Sequence, residues 1–132
     1  PDYVNTDLKN EEQIVVGSWR MVDYEDSRSM SPEELAETMR NVEDLKQRVL
    51  LTFNSDRSFV RSGFTPQPQK GYWEYDSEKK KIYLTPENVN QREEINIMNL
   101  SETDMTFIVT EVIQNPEGIT ETVTTKLSFR KQ

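Results

Sequence analysis

The chain has 132 residues, enough for one domain with a real core. It carries 16 basic and 24 acidic side chains, a net charge of −8, and neither His nor Cys. That balance argues against a nucleic-acid partner and against docking on anionic lipid. The missing residue types exclude disulfides, thiolate catalysis, cysteine-held zinc and histidine-held haem.

Residues 1–12 are polar and without a sustained period, and read as an arm or linker before a domain over 13–132. The chain begins at Pro1 rather than Met, which implies an N-terminal segment removed earlier. Ile14 to Tyr24 reads as the first strand, with Gly17, Trp19 and Met21 on one face. Ser31-Pro32-Glu33-Glu34 then announces a helix over 31–46: a cap, a proline suited to the first turn, and the acid of a capping box. Leu35, Met39, Val42 and Leu45 form its apolar stripe, which must lie on something apolar.

From residue 49 onward the pattern is β. Runs at 49–53, 58–64, 71–76, 80–85, 93–100, 105–113 and 119–130 are separated by short clusters of turn residues. With the first strand this makes eight. The predicted fold is mainly β: an eight-stranded antiparallel up-and-down β-barrel with one amphipathic helix inserted after the first strand. Eight strands leave an interior that side chains fill or that holds one small ligand. The loop Thr65-Pro66-Gln67-Pro68 is placed at a barrel mouth.

Phe59 and Arg61 share one strand face, and Trp73 and Tyr75 share another. Pointed inward, they bring rings and one cation into the interior, where Arg61 would hold a carboxylate. The plainer reading has the rings filling the interior and Arg61 reaching solvent at the rim. Phe107, Val109, Val123, Leu127 and Phe129 alternate as inward positions, and Ile82, Leu84 and Ile97 read the same way. The candidate cavity lining is therefore Phe59, Arg61, Trp73, Tyr75, Ile97, Phe107, Val109 and Leu127. Tyr72 and Tyr83 are expected to face outward. Glu93-Glu94 and Asp23-Glu25-Asp26 read as solvated rim, since neither has the spacing of a metal loop.

GSW at 17–19, LTFNSDRSF at 51–59, GYWEYDSEKKKIYL at 71–84, INIMNLSETDMTF at 95–107 and TKLSFRK at 125–131 resemble the lipocalin-like domains of the calycin group. The likeness is greatest to the exported ones of Bacteroidetes. The resemblance implies export to the periplasm or cell surface behind a signal peptide, often as a lipoprotein whose only membrane contact is its N-terminal lipid. It also implies a closed barrel end in which Gly17 and Trp19 sit under a basic residue of the last strand, matched here by Arg130. The helix at 31–46 departs from the usual lipocalin order, in which the helix follows the barrel strands.

No motif sets a nucleophile beside a base, so no enzyme, cofactor or metal is expected. The leading expectation is a monomeric, non-catalytic barrel that binds a small, largely apolar ligand. The competing one is a filled barrel acting as a structural or interaction module at a bacterial cell surface. On the first, the helix at 31–46 is a plug, a lid or a docking element, and Trp73 rather than Trp19 reports a fatty-acid-like ligand by fluorescence.

Overall fold

The computed structural model describes residues 10–28, 30–114 and 116–132. The elements are α1 (Asn10–Val15), β1 (Gly17–Asp26), α2 (Pro32–Arg48), β2 (Leu50–Phe53), β3 (Ser58–Ser62), β4 (Gln69–Asp76), β5 (Lys81–Pro86), β6 (Glu93–Leu100), β7 (Asp104–Gln114) and β8 (Thr120–Lys131). The eight strands pair antiparallel in chain order and close as β8 meets β1. The predicted barrel is the observed one.

Local chemistry sets the ends of α2 and two of the turns. Ser31 caps α2: its Oγ accepts the Glu34 N–H at 3.2 Å, and Glu34 returns a carboxylate to the Ser31 N–H at 3.4 Å. The Val49 N–H closes the other end on the Leu45 carbonyl. Between β2 and β3, Asp56 accepts from the Ser58 N–H and hydroxyl, and Arg57 takes the left-handed conformation at φ 76°. Between β4 and β5, Asp76 accepts the N–H groups of Glu78 and Lys79.

The hairpins of β2–β3, β4–β5 and β6–β7 gather at one end of the barrel together with α1. The connections carrying α2 and residues 63–68, 87–92 and 116–119 gather at the other. The core of buried residues, led by Trp19, Phe53, Phe59, Trp73, Met105 and Phe129, occupies the end that α1 covers and the middle. At Gly71 the chain has no room for a side chain. An added Cβ would stand 2.1 Å from the Thr85 carbonyl oxygen and 2.8 Å from the Phe59 ring.

The expectation of a polar arm over 1–12 followed by strand from Ile14 meets a different arrangement in its described part. Residues 1–9 lie outside the described residues. Asn10–Val15 form a helix, and the strand begins only at Gly17. Six residues are too few to hold a helix alone, so the barrel floor holds it. The Trp19 Nε1–H donates to the Val15 carbonyl at 2.9 Å and the Lys131 ammonium to the Ile14 carbonyl at 2.6 Å. Both bonds satisfy carbonyls that a helix C-terminus leaves free. Glu12 forms a buried ion pair with Arg57, whose guanidinium lies 5.1 Å from the centre of the Trp73 ring. Glu11 accepts from the Tyr75 hydroxyl at 3.0 Å and from Lys80 at 3.2 Å.

The cation over Trp19 is Lys131, 4.9 Å from the ring centre, and not Arg130. This corrects the closure drawn from resemblance. Arg130 is exposed and faces outward, 3.6 Å from Asp104. The period of two decides it: Leu127 and Phe129 point inward, so Lys131 does too. Gly17 makes the arrangement fit, because a Cβ there would press on the Lys131 chain at 3.2 Å. Burial holds the Lys131 ammonium below its usual pKa.

Lys131→Met is expected to cost about 1–2 kcal/mol in chemical denaturation, through the lost ring contact and the freed Ile14 carbonyl. Arg130→Met should stay within about 0.5 kcal/mol, and equal losses would contradict this closure. The Tyr75 hydrogen bond, and after it Lys80, holds the Glu11 carboxyl below its usual range. Burial first, then Glu11, pushes Tyr75 up to about 12. The Glu11 contribution to stability is thus present above pH 4.5 and fades as pH falls. The Tyr75 contribution is present below pH 10 and fades as pH rises towards 12. In Tyr75→Phe, carboxyl-carbon NMR should show Glu11 titrating at higher pH, and alkaline unfolding should lose the part that falls between pH 10 and 12.

Candidate ligand-binding cavity

The end of the barrel away from α1 holds a cavity of about 500 Å³. Its floor and walls are apolar: Leu51 from β2, Leu84 from β5, Ile95 from β6, Phe107 from β7, and Leu127 and Phe129 from β8. Phe107 lies flat on Phe129, ring centres 5.1 Å apart and planes 14° apart. Higher up the wall come Tyr24, Phe64 and Val109.

Tyr24 enters through a bulge. The β1–β8 register shifts between Met21 and Asp23, so the extra residue flips the faces beyond it. Trp19 and Met21 point in before the shift, and Tyr24 points in after it, opposite Leu127. A strict period of two from Trp19 would turn Tyr24 outward.

The polar side chains sit at the mouth. Arg61 on β3 donates Nη1–H and Nη2–H to the two carboxylate oxygens of Glu93 on β6, at 2.9 and 3.3 Å. Its Nε–H goes to Gln69 on β4 at 2.7 Å. Since β4 and β5 lie between β3 and β6, this forked pair spans a chord of the barrel beside Leu84. Glu111 and Thr125 complete the polar rim. Glu94 also borders the cavity and is bound by Lys81 at 3.3 Å. Among the described residues no group of three or more acids is placed to hold a metal ion.

Of the predicted lining, Arg61, Phe107, Val109 and Leu127 border this cavity. Phe59, Trp73, Tyr75 and Ile97 do not. Phe59 is fully buried against Gly71 and fills the barrel at mid-height. Trp73 packs edge-on against Phe53 at 5.6 Å and donates to the Asn54 carbonyl in the β2–β3 turn, near the floor. Tyr75 and Ile97 border a smaller hollow of about 260 Å³ beside α1. The reason is depth. β4 enters at the mouth with Gln69, and at about 3.3 Å per residue it reaches the floor by Trp73 and Tyr75. Trp73 is therefore not placed to report on a ligand.

The expectation that α2 plugs or covers the barrel end is also corrected. No residue of α2 lines the cavity, and none is fully buried. Only its C-terminal part reaches the core, through Leu45, while Leu35 and Met39 stay 50% and 61% exposed. The helix packs mainly along β1. Outside the barrel, Tyr72 is exposed as expected, whereas Tyr83 is covered by Arg92 at 4.0 Å from its ring centre.

Glu111 is the missed residue with the clearest signal. It continues the inward series of Met105, Phe107 and Val109. Tyr24 had none, because a bulge is invisible in alternation. Glu93 lies on the rim as expected, and its pairing with Arg61 has no sequence signal because β4 and β5 lie between their strands.

No curated protein sequence matches the chain. Among solved structures, the crystal structure of a DUF4847 family protein from Bacteroides vulgatus ATCC 8482 is similar, with a TM-score of 0.56 and 14% identity over 92% of this chain and 98% of that one. That likeness is one of fold. The lipocalin-like domain family matches residues 15–107, from the end of α1 into β7. The match covers well over half of the sequence and starts and runs through the same strands that build the closed barrel, so the chain belongs to the lipocalin-like domain family.

Proposed function

We propose that this protein is a non-catalytic barrel that binds one small, largely apolar molecule in the cavity at its mouth. The observation that carries this is the uneven filling of the interior. Trp19, Phe53, Phe59 and Trp73 fill the core from the covered end to mid-height, while about 500 Å³ above Phe107 and Phe129 stays open. That volume is in the range of ordinary ligand sites, and an apolar bowl under a few polar groups is their usual form. A barrel serving only as a scaffold would gain stability by closing this space, since unfilled apolar volume costs dispersion contacts. The sequence resemblance supports an exported protein of the periplasm or cell surface, where such a barrel would meet its ligand outside the cytoplasm.

A panel of short-chain amphiphiles and apolar metabolites, titrated by calorimetry, tests the reading. At least one class should bind the native protein with one-to-one stoichiometry. Val109→Trp, which places an indole in the cavity, should lower that affinity at least tenfold while the protein still unfolds cooperatively. Emission from Trp19 and Trp73 should stay unchanged on binding, because both rings lie below the cavity. Binding that survives Val109→Trp, or no binding by any class, would overturn the assignment.

A further inference from the structure

We propose that the mouth of this cavity selects a ligand with a positively charged head group, such as a primary ammonium, and disfavours a carboxylate. The inference rests on the binding role proposed above and names the class of molecule that fits it.

Arg61 is the only cation on the lining among the described residues. An apolar bowl with one arginine at its rim looks built for a fatty acid. Here that arginine is already used. All three of the Arg61 nitrogens are engaged, Nε by Gln69 and the other two by Glu93, in the forked geometry that a ligand carboxylate would need. A ligand acid must displace Glu93 and leave it beside the newcomer. Two like charges then share one guanidinium at the edge of an apolar space.

Beyond the pair, the mouth is acidic. Glu111 borders the cavity, and its side chain makes no hydrogen bond or ion pair among the described residues. The β6–β7 ladder runs outward from Ile97↔Phe107 and Asn96↔Ile108, and its continuation sets Glu93 level with Glu111. Glu93 and Glu111 thus stand on neighbouring strands of one wall, and Arg61 reaches Glu93 from β3 across the mouth. The chain's net charge of −8 adds a long-range field of the same sign. An ammonium entering tail-first leaves its head at Glu111 and the open side of Glu93, and it displaces nothing.

Decylamine, decanol and decanoate share one tail and differ in head group, and each stays monomeric at low concentration. Calorimetric titration at neutral pH should rank the amine about fivefold tighter than the alcohol, and the decanoate weaker than either. Raising salt should narrow the amine's lead. Glu111→Gln should remove most of that lead. Glu93→Gln should free Arg61 and tighten decanoate about tenfold. Glu93 and Glu111 are both exposed, so neither substitution threatens the core. Decanoate binding as tightly as decanol, with no gain in Glu93→Gln, would overturn the head-group preference alone. Failure of all three to bind would overturn the cavity assignment and this preference together.

Discussion

Trp19 is the fixed point of the molecule. Its indole N–H holds the Val15 carbonyl, its ring carries the Lys131 ammonium, and that ammonium holds the Ile14 carbonyl. First strand, last strand and α1 are thereby tied at one place. The tie joins the two strands that must meet for the barrel to close, so it serves closure as well as local packing. It also makes the barrel one-ended. With the floor covered by α1 and packed by Trp19, Phe53 and Trp73, the large apolar cavity lies towards the mouth.

The charged pairs divide the same way. At the floor, Glu12 with Arg57 is buried, and its members lie between α1 and the Trp73 ring. Breaking a pair there leaves a charge without water, which is costly. At the mouth, Arg61 with Glu93 is partly open to solvent, and such pairs contribute little net stability. One pair secures the closed end. The other shapes the rim and occupies the Arg61 guanidinium.

The order of strands was readable because turn chemistry and alternation agree at nearly every boundary. Asp56 and Asp76 sit where their carboxylates stitch the turns, and Ser31 with Glu34 starts α2 where the capping pattern says. The site was half readable, for a stated physical reason. Alternation tells which face a side chain takes but not its depth along the barrel. Trp73 and Tyr75 do face inward, yet near the floor, while Phe107, Val109 and Leu127 face inward near the mouth. Two bulges break even the facing rule. One is on β1 before Asp23, which turns Tyr24 in. The other is on β6 between Ile97 and Asn99, which turns Leu100 in beside Met105. Lys131 teaches the opposite lesson. Its inward place followed from Leu127 and Phe129, and the analogy with Arg130 was the weaker guide.

The exposed stripe on α2 bears on how the mouth is kept open. A helix whose Leu35 and Met39 folded over the entrance would bury them and close the cavity. Instead Leu45 and Val49 anchor the C-terminal end at β1 and β2, and the N-terminal turns are held by their own capping box rather than by the rim. The capping box and the Glu43–Lys46 and Asp44–Arg48 pairs give the helix stability that does not depend on lying across the barrel. Arg61 and Glu93 meanwhile brace β3 against β6, and the lip they span cannot narrow without giving up the forked bond. An apolar cavity this size persists because closing the mouth would pull Arg61, Glu93 and Glu111 away from water.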